Sequence, residues 1–140
     1  KTAYEIGVRL VGSEMCIRDS ISSSEIPFLK KNKKRIKIYW AKDKLKWNLN
    51  HFKKLIKNKK VYLTFDVDGL DSSVMPATGT PEPGGLFWNE TIKIIKIASQ
   101  NSNILGADIN ELSPIKGFDS YNFLVAKLAY KIISYSFEFK

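Results

Sequence analysis

A chain of 140 residues, 44% hydrophobic and 26% charged, has room for one compact core and too little length for two ordinary domains. Its apolar runs fall short of the ~20 residues a membrane-crossing helix requires, so no membrane association is expected. A single cysteine, Cys16, excludes an internal disulfide framework and fits a reducing, cytoplasmic setting.

The formal net charge of +9 is unevenly spread, because residues 30–60 hold fourteen Lys or Arg against one acid, Asp43. Basic runs such as KKNKKRIK (30–37) and KKLIKNKK (53–60) carry enough charge to touch nucleic acid. No aromatic-interleaved RNA motif or zinc-finger spacing accompanies them. They read as a solvated, lysine-rich surface, with no nucleic-acid partner.

In chain order, AYEIGVRL (3–10) predicts a strand, and RIKIYW (35–40) predicts another. The chain begins in the middle of such a pattern without an initiating Met or the layout of a secretory signal, so it reads as a fragment. VGSEMCIRDS (11–20) matches neither neighbour in character. It resembles a translated sequencing-adapter tract, which would make residues 11–20 a non-native insert; the other reading is a loop. From Asp43 as cap, Leu45, Leu49, Phe52 and Ile56 fall on one helical stripe. His51 lies off that stripe and reads as a surface residue, while Trp47 lies opposite it, placed to cover a neighbouring element.

VYLTFDV (61–67) is apolar or β-branched on both faces, as in an interior strand of a parallel sheet. After a Gly/Pro-rich loop, Asn89 can cap a helix through ETIKIIKIASQ with Ile92, Ile95 and Ala98 inward. NILGADI (103–109) predicts a further strand. A last helix is expected over 120–134, its inner side formed by Tyr121, Leu124, Val125, Leu128, Ala129 and Ile132. Alternating strands and helices imply an α/β fold with a mainly parallel sheet and helices on both faces.

The chemistry concentrates in DVDGLDSSVMPATGTPEPGGL (66–86). In an extended chain Asp66 and Asp68 share a face about 6–7 Å apart, at the carboxyl end of a strand where open α/β sheets collect ligands. Clustered carboxylates repel unless a cation sits among them, and hard oxygen donors suit divalent ions. Asp71 is placed to hold the turn through backbone N–H groups. An EF-hand loop counted from Asp66 would need Gly and Glu where Asp71 and Ala77 stand, so that reading fails. A dehalogenase-type phosphotransferase also opens on Asp-x-Asp-Gly, but Leu70 and the stretch beyond it fit that family poorly. The remaining bland reading is that these acids only cap and fix a loop.

The whole stretch resembles the second metal motif of the ureohydrolase family, the arginases, agmatinases and their relatives. Ser72 departs from it, since the family usually has proline there. GADINELSPI (106–115) resembles the family's later strand, and FLVAKLAYKIISY (123–135) its closing helix. TPEPGGLFW (80–88) is most similar to agmatinases.

The resemblance implies a three-layer α/β/α arginase-like fold, of which residues 1–140 would form a single partial domain from the C-terminal portion. It implies two manganese ions, with Asp66 bridging them and Asp68 binding one. A bridging hydroxide would attack the guanidinium carbon and release urea and an amine, as in agmatine to putrescine, a step of polyamine biosynthesis. Glu111 would receive the guanidinium, and Thr80 would line the pocket, with Gly79, Gly84 and Gly85 letting the backbone turn. A small cationic substrate suits the net-acidic remainder of the chain. The family's Gly-Gly-x-His and Asp-x-His-x-Asp ligand motifs do not occur here, so the 140-residue piece is expected to be inactive alone. Other expectations left open are a guanidinobutyrase, arginase or formimidoylglutamase specificity, or a non-catalytic assembly module. Family members commonly assemble as homo-oligomers.

Overall fold

The structure, a computed structural model, describes residues 22–138 and the backbone of residues 14–18. The strand expected at 3–10 lies outside the described residues. The chain divides into two compact units, Lys1–Lys44 and Leu45–Lys140.

In the first unit, strand β1 (Glu14–Arg18) runs parallel to β2 (Ile36–Trp40), in register from Glu14 opposite Ile36 to Arg18 opposite Trp40. A strand therefore stands within the tract whose native reading was a loop, its backbone groups used in the ladder. Between the two lies α1 (Ile26–Asn32), which the reading of the sequence did not foresee. The signal was present: Ser22 and Glu25 form a reciprocal capping box, and Pro27 occupies the first turn.

The second unit opens with α2 (Leu49–Ile56), which starts later than expected. Asn48, not Asp43, caps it by accepting the His51 N–H at 3.0 Å. Asp43 instead belongs to a 3-10 turn, Ala41–Lys46, and Leu45 is 95% exposed, not part of a helical stripe. The better cap wins because Asn48 has the extended backbone that lets its side chain reach back to the first turn. His51 is exposed, as expected.

Strand β3 (Lys60–Asp66) crosses through α3 (Trp88–Asn101) to β4 (Asn103–Asn110), and the two strands pair in parallel. Helix α3 is capped at Phe87, two residues before Asn89: the Glu90 carboxylate accepts the Phe87 N–H at 2.8 Å. Helix α4 (Asp119–Glu138) closes the unit and runs four residues beyond the expected end at 134. Among the described residues no helix is long and apolar enough to cross a membrane.

Both α3 and α4 pack on one face of the β3–β4 pair. Ile95, Leu128 and Ile132 are buried there against Leu63, Phe65 and Ile109. The other face of β3 is exposed and polar, so this strand alternates instead of being apolar on both sides. A second cluster gathers beyond the carboxyl end of β3, where Val67, Leu70, Met75, Ala77 and Leu86 are buried. Trp47, Leu112, Tyr121, Leu124 and Val125 pack around it, which gives Trp47 the covering role the sequence suggested.

Candidate functional site

Asp66, Asp68 and Thr80 come together where β3 and β4 end side by side, and Glu111 follows the end of β4. Asp66 closes β3 and lies opposite Asn110, the last residue of β4. The extended geometry stops there, because Val67–Gly69 form a 3-10 turn that drives Val67 into the core, fully buried. Asp68 sits in that turn. It is therefore a turn, not strand alternation, that brings Asp68 toward Asp66. Although Asp66 stands on the exposed face of β3, partial desolvation pushes its carboxyl above the usual range; the Asn110 amide opposes this, while the charges of Asp68 and Asp108 add to the rise. Crowded carboxylates of this kind are the environment a divalent cation relieves.

The Thr80 hydroxyl donates to Asp68 Oδ2 at 3.1 Å, so the structure joins two of the expected site residues directly. Thr80 is carried on the loop that leads to α3. Asp71, 8% exposed, fixes that loop as the sequence suggested: it accepts the Ser73 N–H at 3.0 Å, the Ser73 hydroxyl, and the Gly84 N–H at 2.8 Å. Gly84 has φ +90°, a conformation natural to glycine. Gly85 is required for a different reason, since a Cβ there would fall 2.6 Å from the Leu70 carbonyl carbon. Gly79 needs neither device: its φ is not positive and the space around it is open.

Glu111 follows β4 directly, one residue beyond the partner of Asp66. Its φ of 67° is left-handed, unusual for a residue with a side chain. The neighbouring backbone holds it there. Thr78 bridges to Leu112, and the Ser113 N–H donates to the Ala77 carbonyl at 2.9 Å. The segments carrying Thr80 and Glu111 are thus tied to each other at their bases. The Thr78 hydroxyl at this junction is buried without a hydrogen-bond partner.

A polar row behind Asp66 was not anticipated. Tyr62, Thr64 and Asp66 on β3 pair with Gly106, Asp108 and Asn110 on β4. Tyr62 donates to Asp108 Oδ2 at 2.9 Å, Thr64 donates to Asp108 Oδ1, and the Asn110 amide donates to Asp108 Oδ1 at 2.8 Å. The signal was a period-two run of polar residues on each strand, which the apolar residues between them masked. Those hydrogen bonds, Thr64 first and Tyr62 next, hold the Asp108 carboxyl below its usual range. The same contact pushes the Tyr62 phenol up.

As a donor set, Asp66 and Asp68 suit a hard divalent ion but fill only part of its coordination sphere. Among the described residues no group of three or more His, Cys, Asp or Glu could hold a metal ion.

Comparison with known proteins supplies the family. The arginase family model matches residues 3–134. The chain belongs to the arginase family. An N(1)-aminopropylagmatine ureohydrolase from Synechocystis is 41% identical over 105 residues, 73% of this chain and 34% of the relative. An agmatinase from Blochmanniella floridana is 48% identical over 67 residues, 48% of this chain and 22% of the relative. This arginase-family chain thus spans about a third or less of the length of those relatives. Among solved structures, the agmatine ureohydrolase of Thermoplasma volcanium aligns with TM-score 0.71 and 29% identity, over 87% of this chain and 41% of that one. The proclavaminate amidino hydrolase of Streptomyces clavuligerus aligns with TM-score 0.73 at 20% identity, over 90% of this chain and 43% of that one, a likeness of fold. The arginase-like α/β fold expected from the sequence is therefore the fold observed.

Proposed function

We propose that this chain is part of an agmatinase-like ureohydrolase that cleaves a linear guanidinium substrate to urea and an amine. What supports the reading is the Thr80–Asp68 hydrogen bond beside Asp66 at the joined ends of β3 and β4, with Glu111 one residue beyond the strand partner of Asp66, in a chain of the arginase family. Asp66 and Asp68 would hold manganese, two ions in the complete site, and the remaining ligands would come from outside this sequence. When bound, the metal pair supplies a water acidic enough to attack at neutral pH.

The chain's own residues bind and orient. Glu111 presents a carboxylate whose two oxygens match the two parallel N–H groups of a planar guanidinium, giving direction as well as attraction. Its left-handed backbone sets the direction in which the side chain leaves the end of β4. Thr80 holds Asp68 by one oxygen and so orients a metal donor. Agmatine is the first substrate to test. The Synechocystis likeness, which extends over the larger share of the chain, favours N(1)-aminopropylagmatine as the second.

Urea release is the direct test. The 140-residue chain with Mn²⁺ should release none from either substrate. A protein carrying this chain with upstream sequence supplying the His-containing motifs should release it, and Glu111→Gln should lower kcat/KM by at least about a hundredfold. Turnover unaffected by Glu111→Gln would sink the assignment of Glu111, and steady turnover by the short chain would sink the claim that it is inactive alone.

A further inference from the structure

We propose that Asp71 is a positioning residue that governs how Asp68 is presented to a divalent cation, acting through the loop that carries Thr80. The inference rests on reading Asp66 and Asp68 as cation donors, and adds a residue that touches neither cation nor substrate.

Asp71 fastens the loop at both ends. Its side chain accepts from Ser73, just after it, and from the Gly84 N–H, thirteen residues on. Its backbone N–H donates to the Leu86 carbonyl at 2.9 Å, and its carbonyl accepts from Val74 at 2.8 Å and Met75 at 3.0 Å. A buried carboxylate is tolerated only when hydrogen bonds replace the water it has lost, and here three donors converge on it. The Leu86 N–H adds a bond to the Gly69 carbonyl at 2.9 Å, and the Ser72 N–H one to the Glu82 carbonyl at 3.1 Å. The backbone closes so tightly at Gly85 that no Cβ fits. Between these fastened ends the chain runs out to Thr80 and returns. The Thr80 hydroxyl reaches Asp68 because the loop is closed, and its closure is centred on Asp71.

If the three residues act as one unit, their effects on cation binding must not add. Mn²⁺ affinity of the full 140-residue chain is read by water-proton relaxation for the wild type, Asp71→Asn, Thr80→Val and the double variant. Each single change should weaken Mn²⁺ by about threefold to tenfold, the scale of one lost hydrogen bond. The double variant should be no weaker than the weaker single variant. Losses that multiply, or an Asp71→Asn chain that binds as the wild type does, overturn the proposal while leaving the cation site standing. A merely structural role for Asp71 would give multiplying losses. Should Asp71→Asn fail to fold, Ser73→Ala removes one of its donors and carries the same cycle with Thr80→Val, at about twofold to threefold. A wild-type chain without Mn²⁺ affinity that depends on Asp68 overturns the cation reading and this proposal together.

Discussion

The loop between β3 and α3 and the helix α4 spend their residues in opposite ways. The loop holds no long element, yet Val67, Leu70, Met75 and Ala77 within it are fully buried. Helix α4 is the longest element, at 20 residues, but its buried residues are Leu128 and Ile132, while Phe123 at 71% and Phe137 at 72% stand open with Tyr130 and Ile133. A helix resting on a two-stranded pair can bury one stripe only. The loop instead folds around its own apolar side chains and satisfies its backbone groups internally, from Gly69 to Leu86. Regular secondary structure is thus no guide to where this chain is most firmly built. The firm part is the one that bears Asp68 and Thr80, which suits the donor role proposed for Asp68.

The sharpest way to break this contrast is to cut one residue from each region. Leu70→Ala should cost about 2–5 kcal/mol, by lost burial and the cavity left behind. Phe123→Ala should change stability by no more than about 0.5 kcal/mol, as for an exposed site. Denaturant midpoints of the two variants measure the difference; equal losses would mean that α4 is covered in solution and that the loop is not the core of its unit.

A smaller effect separates two glycines. Gly85→Ala places a Cβ 2.6 Å from the backbone of Leu70 and should cost about 1–3 kcal/mol, because backbone cannot step aside. Gly106→Ala meets only the Tyr62 ring, at 3.0 and 3.2 Å, an exposed side chain that can shift at the expense of its surface hydrogen bond to Asp108. Its cost should stay below about 1 kcal/mol. Thermal melts of both variants decide whether the tightness at Gly85 belongs to the closed loop or to glycines at large.

Much of this was legible beforehand, for identifiable reasons. The strand ending in Asp66, the Gly/Pro loop and the later strand running up to Glu111 were readable because apolar runs and turn residues mark them plainly. The inner side of α4 was readable because Leu124, Leu128 and Ile132 repeat at helical spacing. The turn at Val67–Gly69 was not, because nothing local distinguishes Val67 as a strand residue from Val67 as the first residue of a turn. The start of α2 was misplaced because Asp43 and Asn48 are both good caps, and packing of Trp47 on the loop cluster, a long-range effect, favours the later one. The left-handed Glu111 was illegible for the same reason: the ties from Ala77 and Thr78 that hold it come from more than thirty residues upstream.

The finest test contrasts held and crowded carboxylates on the polar face beside the loop. Asp108 is held below its usual range by Thr64, then Tyr62, so its contribution to stability is present above the unfolded pKa and is lost as pH falls through the lower, folded one. Tyr62 is pushed up by Asp108, so its contribution is present below its unfolded pKa and is lost as pH rises through the folded one. Asp66 has the opposite sign to Asp108: burial, opposed by Asn110, raises it, so its ionised form works against the fold as pH rises. Asp108→Asn should therefore flatten the loss of stability below about pH 4, and Tyr62→Phe the loss above about pH 10. Asp66→Asn should do neither, and should stabilise the chain at neutral pH, because it removes a charge that desolvation and the neighbouring Asp68 and Asp108 charges disfavour. Unfolding midpoints across pH for the three variants separate these signs. A destabilised Asp66→Asn chain at neutral pH would show that Asp66 is held like Asp108, as part of the scaffold.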